Sequence, residues 1–567
     1  MDEDIVNELN NFLDFDIAKK EVILNNLIKD DVIKNTKHKV KITEDIYKDT
    51  NIDKWSEELP ILNGSKILMN KLIKNPINDK KSLKSRQNVN ISCQLDIELL
   101  KDHENDVLWV FKIAEEITDN SAINILFPST FIINYINYIE PVLDFYHIYK
   151  IYLIPLTSIL YPVSTFFAPY YYLNQYMKLN ISFQQYINIF IEIIKFSFQT
   201  TGNIKADLIK FITIFLYVAV YLYNMYQTYE MAVLLYDIKH KLHQKMEGLI
   251  SFVNHSKYVL SSVSDKIIEP FFNIEFFKGE IDIRNSMTDI YRLWKDDSSL
   301  KNNIILMLKN IYAIDVIDSI CKLKNDSYDD NWSICNYETD KTIILDAKNP
   351  LLLKNTNQIS NPVNLSKNII ITGPNAGGKT TYVKTILANV ILSHTFGICY
   401  SVKSDIVLYD TIYSFMRLTD ILGSKSYFEV EAEYCSKMIK EADILNKNNK
   451  KGLFLMDEPM HSTPPIEGMS TAYAVAEYLS KLNGITLLIT THFHKLVILE
   501  ELYPDKFINI SVDAIKKDNG FYFPYKIKKG HSYQCIAIEL LNSKDFPDNI
   551  IESAINMKNK ICDEIIK

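Results

Sequence analysis

Residues 368–391 read NIIITGPNAGGKTTYVKTILANVI, and this stretch decides the expected fold. A β-branched run precedes a glycine-rich turn, which leads into a helical pattern, and the turn matches G-x-x-x-x-G-K-T. Backbone N–H groups of such a turn surround phosphate oxygens at the N-terminus of the helix. The predicted phosphate loop consists of Gly373, Pro374, Asn375, Ala376, Gly377, Gly378, Lys379, Thr380 and Thr381.

Two side chains of this loop are expected to contact the phosphates or their metal. Lys379 is predicted to reach the β- and γ-phosphates of a nucleotide, and the hydroxyl of Thr380 is predicted to bind Mg²⁺. A chance glycine turn is the alternative interpretation. It is disfavoured because the strand and the helix also lie where the motif requires them.

Two later apolar runs end in polar residues. GLFLMDEP, residues 452–459, would deliver Asp457 and Glu458 at the end of a buried strand, beside the phosphate loop. Asp457 is predicted to hold Mg²⁺ through water, and Glu458 to orient and deprotonate the attacking water. ITLLITTHF, residues 485–493, places His492 at the end of another strand, as a candidate γ-phosphate sensor. Without the phosphate loop, Asp457 and Glu458 would ordinarily be interpreted as a surface acid pair and His492 as a structural histidine. Their order after the phosphate loop favours the catalytic interpretations instead.

The chain divides by pattern into three parts. Residues 1–55 are polar and are predicted to form a solvated arm with one amphipathic helix. Residues 56–340 carry apolar residues at helical spacing and few glycines, which predicts a long, mostly α-helical domain. Residues 341–567 alternate short β-branched runs with helical segments, which is the pattern of an α/β domain.

Composition and charge limit the class of protein. The 567 residues suffice for several cores, and the seven cysteines show no C-x-x-C pair, which favours a reducing intracellular compartment. The first residues, MDEDIVNELNNF, are acidic where a secretory signal is basic. We therefore expect no signal peptide and a cytoplasmic, nuclear or membrane-associated protein. A net charge of −8 neither requires nor excludes DNA binding.

Two stretches of the helical part, residues 151–177 and 211–229, contain no Asp, Glu, Lys, Arg or His. Each is long enough to cross a bilayer as a helix, and each is equally compatible with a helix buried in a protein core. Pro155, Pro162 and Pro169 would break or kink the first helix. Membrane insertion and buried packing both stay open at this point.

Several longer motifs together resemble the MutS family of DNA mismatch repair ATPases. They follow one another in family order, and ordinary phosphate-loop enzymes lack the set: TGPNAGGKTTY from residue 372, SYFEVEAE from 426, LMDEPMHSTPPIEGMSTAYAVAEYL from 455 and TTHF from 490. A helix ending at Pro76 and leading to Arg86 and Gln87, together with AIDVIDS from 313 and NPVNLS from 361, extends the likeness from about residue 60 to about 560.

The resemblance implies an ABC-type P-loop α/β ATPase domain at the C-terminus, preceded by a helical MutS-core-like domain. It further implies hydrolysis of ATP with Mg²⁺ by a homodimer joined through the ATPase domain, with DNA as a partner. ATP would lie between two subunits. Ser426 would reach the γ-phosphate bound by the other subunit, in trans, with Glu431 on the helix that follows.

The chain departs from the family pattern at several positions. Gln358 falls where the family has the aromatic residue that stacks on adenine, so Ile359 is the expected substitute. The coupling loop after Glu458 contains Pro464 and Pro465, which stiffen a segment that should move. Core-like sequence begins near residue 60, which implies that the mismatch-recognition and connector domains of the family are missing.

Two functions of different classes follow. The first is a MutS-like, ATP-driven dimer that acts on DNA structures or junctions, in repair or recombination, without reading mismatches. The second is a membrane-anchored MutS-like ATPase that does not act directly on DNA, in which the two uncharged stretches enter a bilayer. A structural protein with an inactive nucleotide site is disfavoured, because Lys379, Thr380, Asp457, Glu458 and His492 are all present.

Overall fold

A computed structural model provides the fold. It describes residues 17–34, 36, 38–116, 126–128, 134–200, 202–295, 298–325, 332–353, 358–416, 427–461, 463–517, 520–532, 534, 536–542 and 546–566. The α-helices are α1 Ile17–Leu27, α2 Asp45–Thr50, α3 Ile52–Glu58, α4 Asn63–Ile73, α5 Lys80–Gln87, α6 Glu98–Glu116, α7 Glu140–Ile148, α8 Ile154–Gln175, α9 Phe183–Phe198, α10 Ile204–Ser261, α11 Met287–Lys295, α12 Ser298–Asn325, α13 Lys379–Phe396, α14 Tyr427–Lys447, α15 Pro465–Lys481, α16 Ile498–Leu502, α17 Ala537–Asn542 and α18 Asp548–Ile566.

Shorter helical turns lie at Asp30–Val32, Asn134–Tyr138, Tyr149–Leu153, Asp265–Ile267, Pro350–Leu352 and His494–Val497. The strands are β1 Lys41–Ile42, β2 Trp332–Ile334, β3 Ile343–Ala347, β4 Asn361–Asn364, β5 Asn368–Thr372, β6 Ile398–Tyr400, β7 Lys403–Asp405, β8 Thr411–Phe415, β9 Gly452–Asp457, β10 Ile485–Thr490, β11 Phe507–Ser511, β12 Ile515–Lys517, β13 Gly520–Tyr522 and β14 Lys528–Lys529.

The described residues form two compact units. Unit 1 comprises those of Met1–Leu27, Glu98–Tyr258 and Phe277–Met307, and unit 2 comprises those of Ile28–Ile97, Val259–Phe276 and Leu308–Lys567. Unit 1 is helical, whereas the strands lie in unit 2. The predicted presence of many helices and of an α/β sheet is confirmed, but the units do not follow the predicted boundary, because residues 56–97, 259–276 and 308–340 belong to unit 2.

Unit 2 is built on a sheet of seven strands among the described residues, in the order β1-β8-β9-β10-β5-β11-β14. The pairs are parallel except for β14, which runs antiparallel to β11. Every residue of β5, β8 and β9 is buried, as expected for parallel strands covered on both faces. Burial on both faces explains the continuous apolar runs of β5 and β9, whereas β8 also buries Thr411 and Ser414.

Helices α14 and α15 share an apolar core with the sheet. Met438 and Ala442 of α14 and Ala476 and Leu479 of α15 belong to the same buried cluster as Phe454 of β9. Helix α13 is buried along nearly its whole length, which explains why its sequence lacks a polar face. The helix that follows β5 is therefore held firmly in the core of the unit.

The last turn of α13 is closed by residues from the N-terminal part of unit 2. Gly397 follows the helix with a φ of 77°, a left-handed conformation that favours glycine. The buried guanidinium of Arg86 donates to the carbonyl of Thr395 at 2.6 Å, and Gln87 donates to the carbonyl of Gly397 at 2.9 Å. Two of the segments that carry the family resemblance are therefore in direct contact.

Asp315 connects two further segments of unit 2. Its carboxylate accepts hydrogen bonds from the backbone N–H groups of Ile61 at 3.0 Å and Leu62 at 2.9 Å, at the start of α4. These are groups that the helix itself leaves unpaired. Burial raises the pKa of Asp315 to about 6, although the hydrogen bonds from the backbone oppose this shift.

Residues 28–55 belong to unit 2, whereas the sequence suggested a solvated arm over residues 1–55. Strand β1 pairs in parallel with β8 at one edge of the sheet, and Ile46 and Ile52 are fully buried. The segment is polar overall, but its few apolar residues are the ones that pack. A strand of two residues leaves no alternating pattern to recognise.

Unit 1 contains long helices with many exposed apolar side chains. Two helical stretches, Glu140–Gln175 and Ile204–Ser261, are long and apolar enough to cross a membrane, and 11% and 0% of their most apolar windows are buried. The two predicted uncharged stretches fall within these helices, apart from the residues that follow α8. Within the described residues, packing of these stretches into a protein core is therefore not observed.

Candidate nucleotide-binding site

The turn between β5 and α13 depends on its glycines. Gly373 and Gly378 have φ angles of 141° and 94°. A Cβ atom on Gly373 would lie 2.3 Å from the carbonyl oxygen of Val512, so any side chain there would collide with backbone. Helix α13 begins at Lys379 without a side-chain cap. The N–H groups of its first turn therefore remain available to an anion, which the helix dipole also favours.

The parallel register brings the ends of three strands together. Asp457 at the end of β9 lies opposite Thr490 of β10, and Thr490 lies opposite Ile371 of β5, two residues before Gly373. The hydroxyl of Thr490 donates a hydrogen bond to the carboxylate of Asp457. The carboxyl ends of β5, β9 and β10 therefore form one edge, which is where parallel sheets bind ligands.

Oxygen atoms of the loop and of β9 converge at this edge. The hydroxyl oxygen of Thr380 lies 3.2 Å and 3.4 Å from the two carboxylate oxygens of Asp457. The next residue, Glu458, has a left-handed φ of 50°, and its backbone N–H donates to the carbonyl of Thr490 at 3.0 Å. A non-glycine residue in this conformation is strained, and such strain is concentrated at functional sites.

Glu458, His492, Lys379 and Asn375 form one polar cluster. Nε2 of His492 lies 2.9 Å from Oε1 of Glu458, 2.7 Å from Oδ1 of Asn375 and 3.2 Å from Nζ of Lys379. The hydrogen bond from His492 is the main reason why the pKa of Glu458 is lowered, and the charge of Lys379 contributes. The carboxylate is therefore ionised at neutral pH, as a proton acceptor must be.

Lys379 is folded back against its own loop. Its ammonium group donates to the carbonyl oxygens of Gly373 at 3.0 Å and Pro374 at 3.3 Å. Burial lowers the pKa of Lys379, and the carboxylates of Glu458 and Asp457 oppose that shift. The ammonium thus occupies carbonyl partners that a phosphate would replace.

A cavity of about 610 Å³ opens beside the loop. Four aromatic residues line it together with most of the phosphate loop: Tyr382 of α13 and, from one segment, Tyr522, Phe523 and Tyr525. The side chain of Asn361 holds this aromatic segment, because it donates to the carbonyl of Tyr525 at 2.8 Å and accepts from the N–H of Ile527 at 2.9 Å. The cavity therefore combines a phosphate-sized polar end with an aromatic wall.

The sequence did not indicate this aromatic wall. The run GFYFPY at residues 520–525 was a signal, but the chain contains 35 tyrosines and 28 phenylalanines, which conceals it. Ile359, the predicted substitute for the adenine-stacking residue, lines the cavity, as does Gln358. Gln358 donates to the backbone carbonyl of Asn349 at 2.9 Å. Its amide is thus engaged in holding the chain.

Two other predictions concern the second subunit and the coupling loop. Ser426 lies outside the described residues, whereas Glu431 is buried on α14. Pro465 is the first residue of α15, a position that proline favours because its missing N–H has no partner there. The two prolines thus start a helix at the end of the loop that follows Glu458.

Comparison with known proteins identifies relatives of this domain. The MutS domain V family matches residues 369–562. The chain is similar to "DNA mismatch repair protein Msh2" of Dictyostelium discoideum, with 30% identity over 219 residues, which are 38% of this chain and 23% of that protein. It is also similar to "DNA mismatch repair protein MutS" of Finegoldia magna, with 27% identity over 286 residues, 49% of this chain and 33% of that protein. The matches thus span a third or less of these relatives.

These matches first identify the type of domain. Residues 369–562, in the α/β part of unit 2, form a MutS domain V, a type of domain that contains an ATPase. Over 38% to 49% of its length the chain is similar to these two MutS-family proteins. The resemblance inferred from the sequence motifs is thereby confirmed.

Proposed function

We propose that the chain binds ATP in the cavity beside the loop and hydrolyses it with Mg²⁺, as an ABC-type P-loop ATPase. The observation that carries this proposal is the meeting of Lys379, Thr380, Asp457, Glu458 and His492 at one edge of the sheet. The triphosphate would lie on the first turn of α13. The ammonium of Lys379 would leave its carbonyl partners for the β- and γ-phosphates.

The residues present fit a magnesium ion. The Thr380 hydroxyl and the Asp457 carboxylate are hard oxygen donors 3.2 Å apart, and Mg²⁺ in nucleotide sites takes one or two such ligands together with water and phosphate oxygens. No group of three or more His, Cys, Asp or Glu within the described ranges is arranged to hold a metal. This agrees with a metal shared with the substrate. When bound, Mg²⁺ would offset negative charge on the phosphates.

Glu458 is proposed to be the general base, and His492 its positioning partner and γ-phosphate contact. The carboxylate is ionised and held by the imidazole at 2.9 Å, so that it can orient a water molecule and accept its proton. The imidazole also lies 2.7 Å from Asn375 of the loop. His492 therefore connects the base to the residues that surround the phosphates.

The base of the nucleotide is proposed to lie against the aromatic wall. Tyr525 and Phe523 have nearly parallel rings 6.1 Å apart and line the same cavity as Ile359. Stacking on such rings contributes about 1–3 kcal/mol per base. The aromatic surface that is missing at Gln358 would thus be supplied by a different segment of the chain.

The test is magnesium-dependent ATP hydrolysis by the full chain and by Glu458→Gln. Loss of a general base should slow turnover by at least about 100-fold while ATP affinity stays within about twofold. Glu467→Gln is the matched control, because Glu467 is an exposed glutamate on α15 and should not affect turnover. Normal turnover by Glu458→Gln would show that Glu458 is not the base.

We further propose that the protein works as a homodimer through the ATPase domain, with ATP between the subunits and Ser426 acting in trans. The Glu458→Gln variant should then accumulate as an ATP-bound dimer. Light scattering with and without ATP measures this directly. A monomer at saturating ATP would contradict the shared site.

DNA structures or junctions are the proposed target, without reading of mismatches. The names of the relatives support DNA as the partner. Paired duplex and single-mismatch duplex should bind equally, and affinity should fall steeply with salt, as phosphate contacts require. A several-fold preference for the mismatch in a competition assay would contradict this.

A second candidate function is an ATPase of the same family that is anchored in a membrane. It is favoured by the exposed apolar helices of unit 1, whose most apolar windows are almost entirely unburied. The two candidates share the ATPase site and differ in what the helical unit contacts.

A further inference from the structure

Helix α10 changes character along its length. Between residues 211 and 229 it carries no charged residue, and the consecutive side chains Phe215, Leu216, Tyr217 and Val218 are 48–72% exposed. Because successive residues of an α-helix are about 100° apart, these four cover its whole circumference. Beyond Glu230 the same helix buries a single stripe, formed by Ala232, Leu235, Ile238, Leu242, Met246 and Leu249.

The charge-free part of α10 is apolar on every side, so it needs an apolar environment that surrounds the helix. A helix that packs on one protein partner keeps a polar face, as α10 does beyond Glu230, whereas a helix that is apolar all round belongs in a large core or a bilayer. A core is excluded for the described residues, since none of the most apolar window is buried. Nineteen residues rise about 28 Å, close to the roughly 30 Å thickness of a bilayer's hydrocarbon core.

Helix α8 runs antiparallel to α10, and a side chain of α10 compensates for one proline of α8. Pro162 has no N–H, so the carbonyl of Ser158 loses its helical partner. The hydroxyl of Tyr221 on α10 donates to that carbonyl at 2.7 Å. In lipid no water is available to do this, and a proline is tolerated there only when a neighbouring helix pairs the freed group. At Pro162 the pair therefore meets a requirement of helices that are embedded in lipid.

The connecting helix α9 is amphipathic. Its long polar side chains fall within about 100° of its circumference, while the remaining surface is apolar. They are Gln184, Gln185, Asn188, Glu192 and Lys195. A narrow polar stripe on an otherwise apolar helix is typical of helices that lie in the membrane interface.

Contacts place both ends of α9 at one level of the hairpin. Near its start, the ring of Phe183 stacks on Phe167 of α8 at 6.0 Å, and at its end the ring of Phe198 lies 6.2 Å from Phe211 of α10. Starting from the contact between Ser158 and Tyr221, ten residues forward along α8 lead to Ala168, and ten residues backward along the antiparallel α10 lead to Phe211. Phe167 and Phe211 are therefore at similar depth, and α9 lies across the hairpin where the charge-free part of α10 ends.

We propose that α8 and α10 cross a lipid bilayer as a helical hairpin, with α9 lying in the distal interface. The chain before α8 and the chain after residue 229 then emerge on the same side of the membrane. Lys178, Lys205, Asp207 and Lys210 lie at the distal end, outside the hydrocarbon region. The proposal rests on unit 1 alone and does not depend on the ATPase assignment.

The first experiment fractionates cells that express the full chain and follows with an alkaline carbonate wash. The wild-type protein should stay in the membrane pellet until detergent releases it. Leu216→Lys combined with Val220→Lys places two charges on one exposed side of the span and should reduce the washed, floatable fraction by at least about tenfold. Tyr258→Lys is the matched control, an exposed aromatic residue on the same helix outside the span.

Vesicle flotation separates insertion from aggregation, because aggregates also pellet but do not float. Purified chain is mixed with vesicles of phosphatidylcholine, alone or with phosphatidylglycerol. A wild-type far-UV circular dichroism spectrum and a cooperative unfolding transition show that the double variant is folded. Recovery of the wild type in the carbonate supernatant overturns the proposal. So does a soluble oligomer that the double lysine variant dissociates, since the apolar surface would then be covered by a second copy of the chain.

The second experiment tests the crossing itself. Both test chains carry serine in place of Cys535 and Cys562, which leaves the four cysteines that are buried within the described residues. In the first chain a cysteine replaces Lys205 at the distal end and serine replaces the exposed Cys93; in the second chain Cys93 is kept. A membrane-impermeant thiol reagent added outside sealed vesicles should react with the Lys205→Cys thiol only after permeabilisation, whereas Cys93 should react at once. Equal reactivity of both thiols in sealed vesicles would refute a spanning hairpin.

Discussion

Replacing Lys379 by methionine should leave the stability of the nucleotide-free protein nearly unchanged and remove its stabilisation by ATP. Without nucleotide, the ammonium donates to two carbonyls, at 3.0 Å and 3.3 Å. Hydrogen bonds of a charged group contribute about 1.5–3 kcal/mol each, and burying the cation costs several kcal/mol. These contributions oppose each other, so that the free energy of unfolding should change by no more than about 1 kcal/mol.

With ATP the two proteins should differ clearly. A ligand at 100 times its Kd stabilises a folded protein by about 2.7 kcal/mol, and the methionine variant should show none of this because its phosphate contact is lost. The assay is thermal unfolding with and without ATP and Mg²⁺, with Glu458→Gln as the control that keeps the full shift. A wild-type shift in Lys379→Met would refute the phosphate role. A loss of several kcal/mol without ATP would instead assign Lys379 a structural role.

Three further outcomes are expected. Burial lowers the pKa of His394 to about 4, so on acidification the unfolded chain binds the extra proton before the folded protein does. The contribution of His394 to the free energy of unfolding is therefore fully present above pH 6.5 and falls by about 3 kcal/mol as the pH drops to 4. Denaturant titrations at several pH values should show this decline in the wild type but not in His394→Gln. Gly373→Ala should lower the free energy of unfolding by about 3 kcal/mol or more, because the strained backbone conformation is combined with a collision between the new Cβ atom and the backbone of Val512. Gly530→Ala, at a φ of 90° but with open space around the new Cβ atom, should lower it by only about 1 kcal/mol in the same unfolding assay. Tyr525→Ala should weaken ATP binding by about tenfold and leave inorganic triphosphate binding unchanged in calorimetry; equal losses for both ligands would place the ring on the phosphates.

The sequence by itself determines the phosphate loop and the strand-end acids. The loop is local, because a strand, a glycine turn and a helix within 24 consecutive residues leave the backbone few conformations. Asp457 and Glu458 are recognisable for a related reason: they are the first charged residues after a continuous apolar run, as expected at the carboxyl end of a buried parallel strand. The resemblance to the MutS family likewise follows from several such local motifs in order, and the match of residues 369–562 to MutS domain V confirms it for that part of the chain.

Only the tertiary structure decides which distant residues join them. Thr490 supports Asp457 because β10 lies between β5 and β9 in the sheet, and strand order is not written in any single strand. Tyr525 reaches the cavity because Asn361, far away in the chain, holds its backbone.

The uncharged stretches show the same division most clearly. Their composition suits a protein core and a bilayer equally well, since both exclude water from every side of a helix. Within the described residues, the fold leaves the most apolar windows of these helices almost unburied, which argues against a core, and the hydroxyl of Tyr221 pairs the carbonyl that Pro162 frees. Exposure and pairing are properties of contacts between segments, and for that reason composition alone does not contain them.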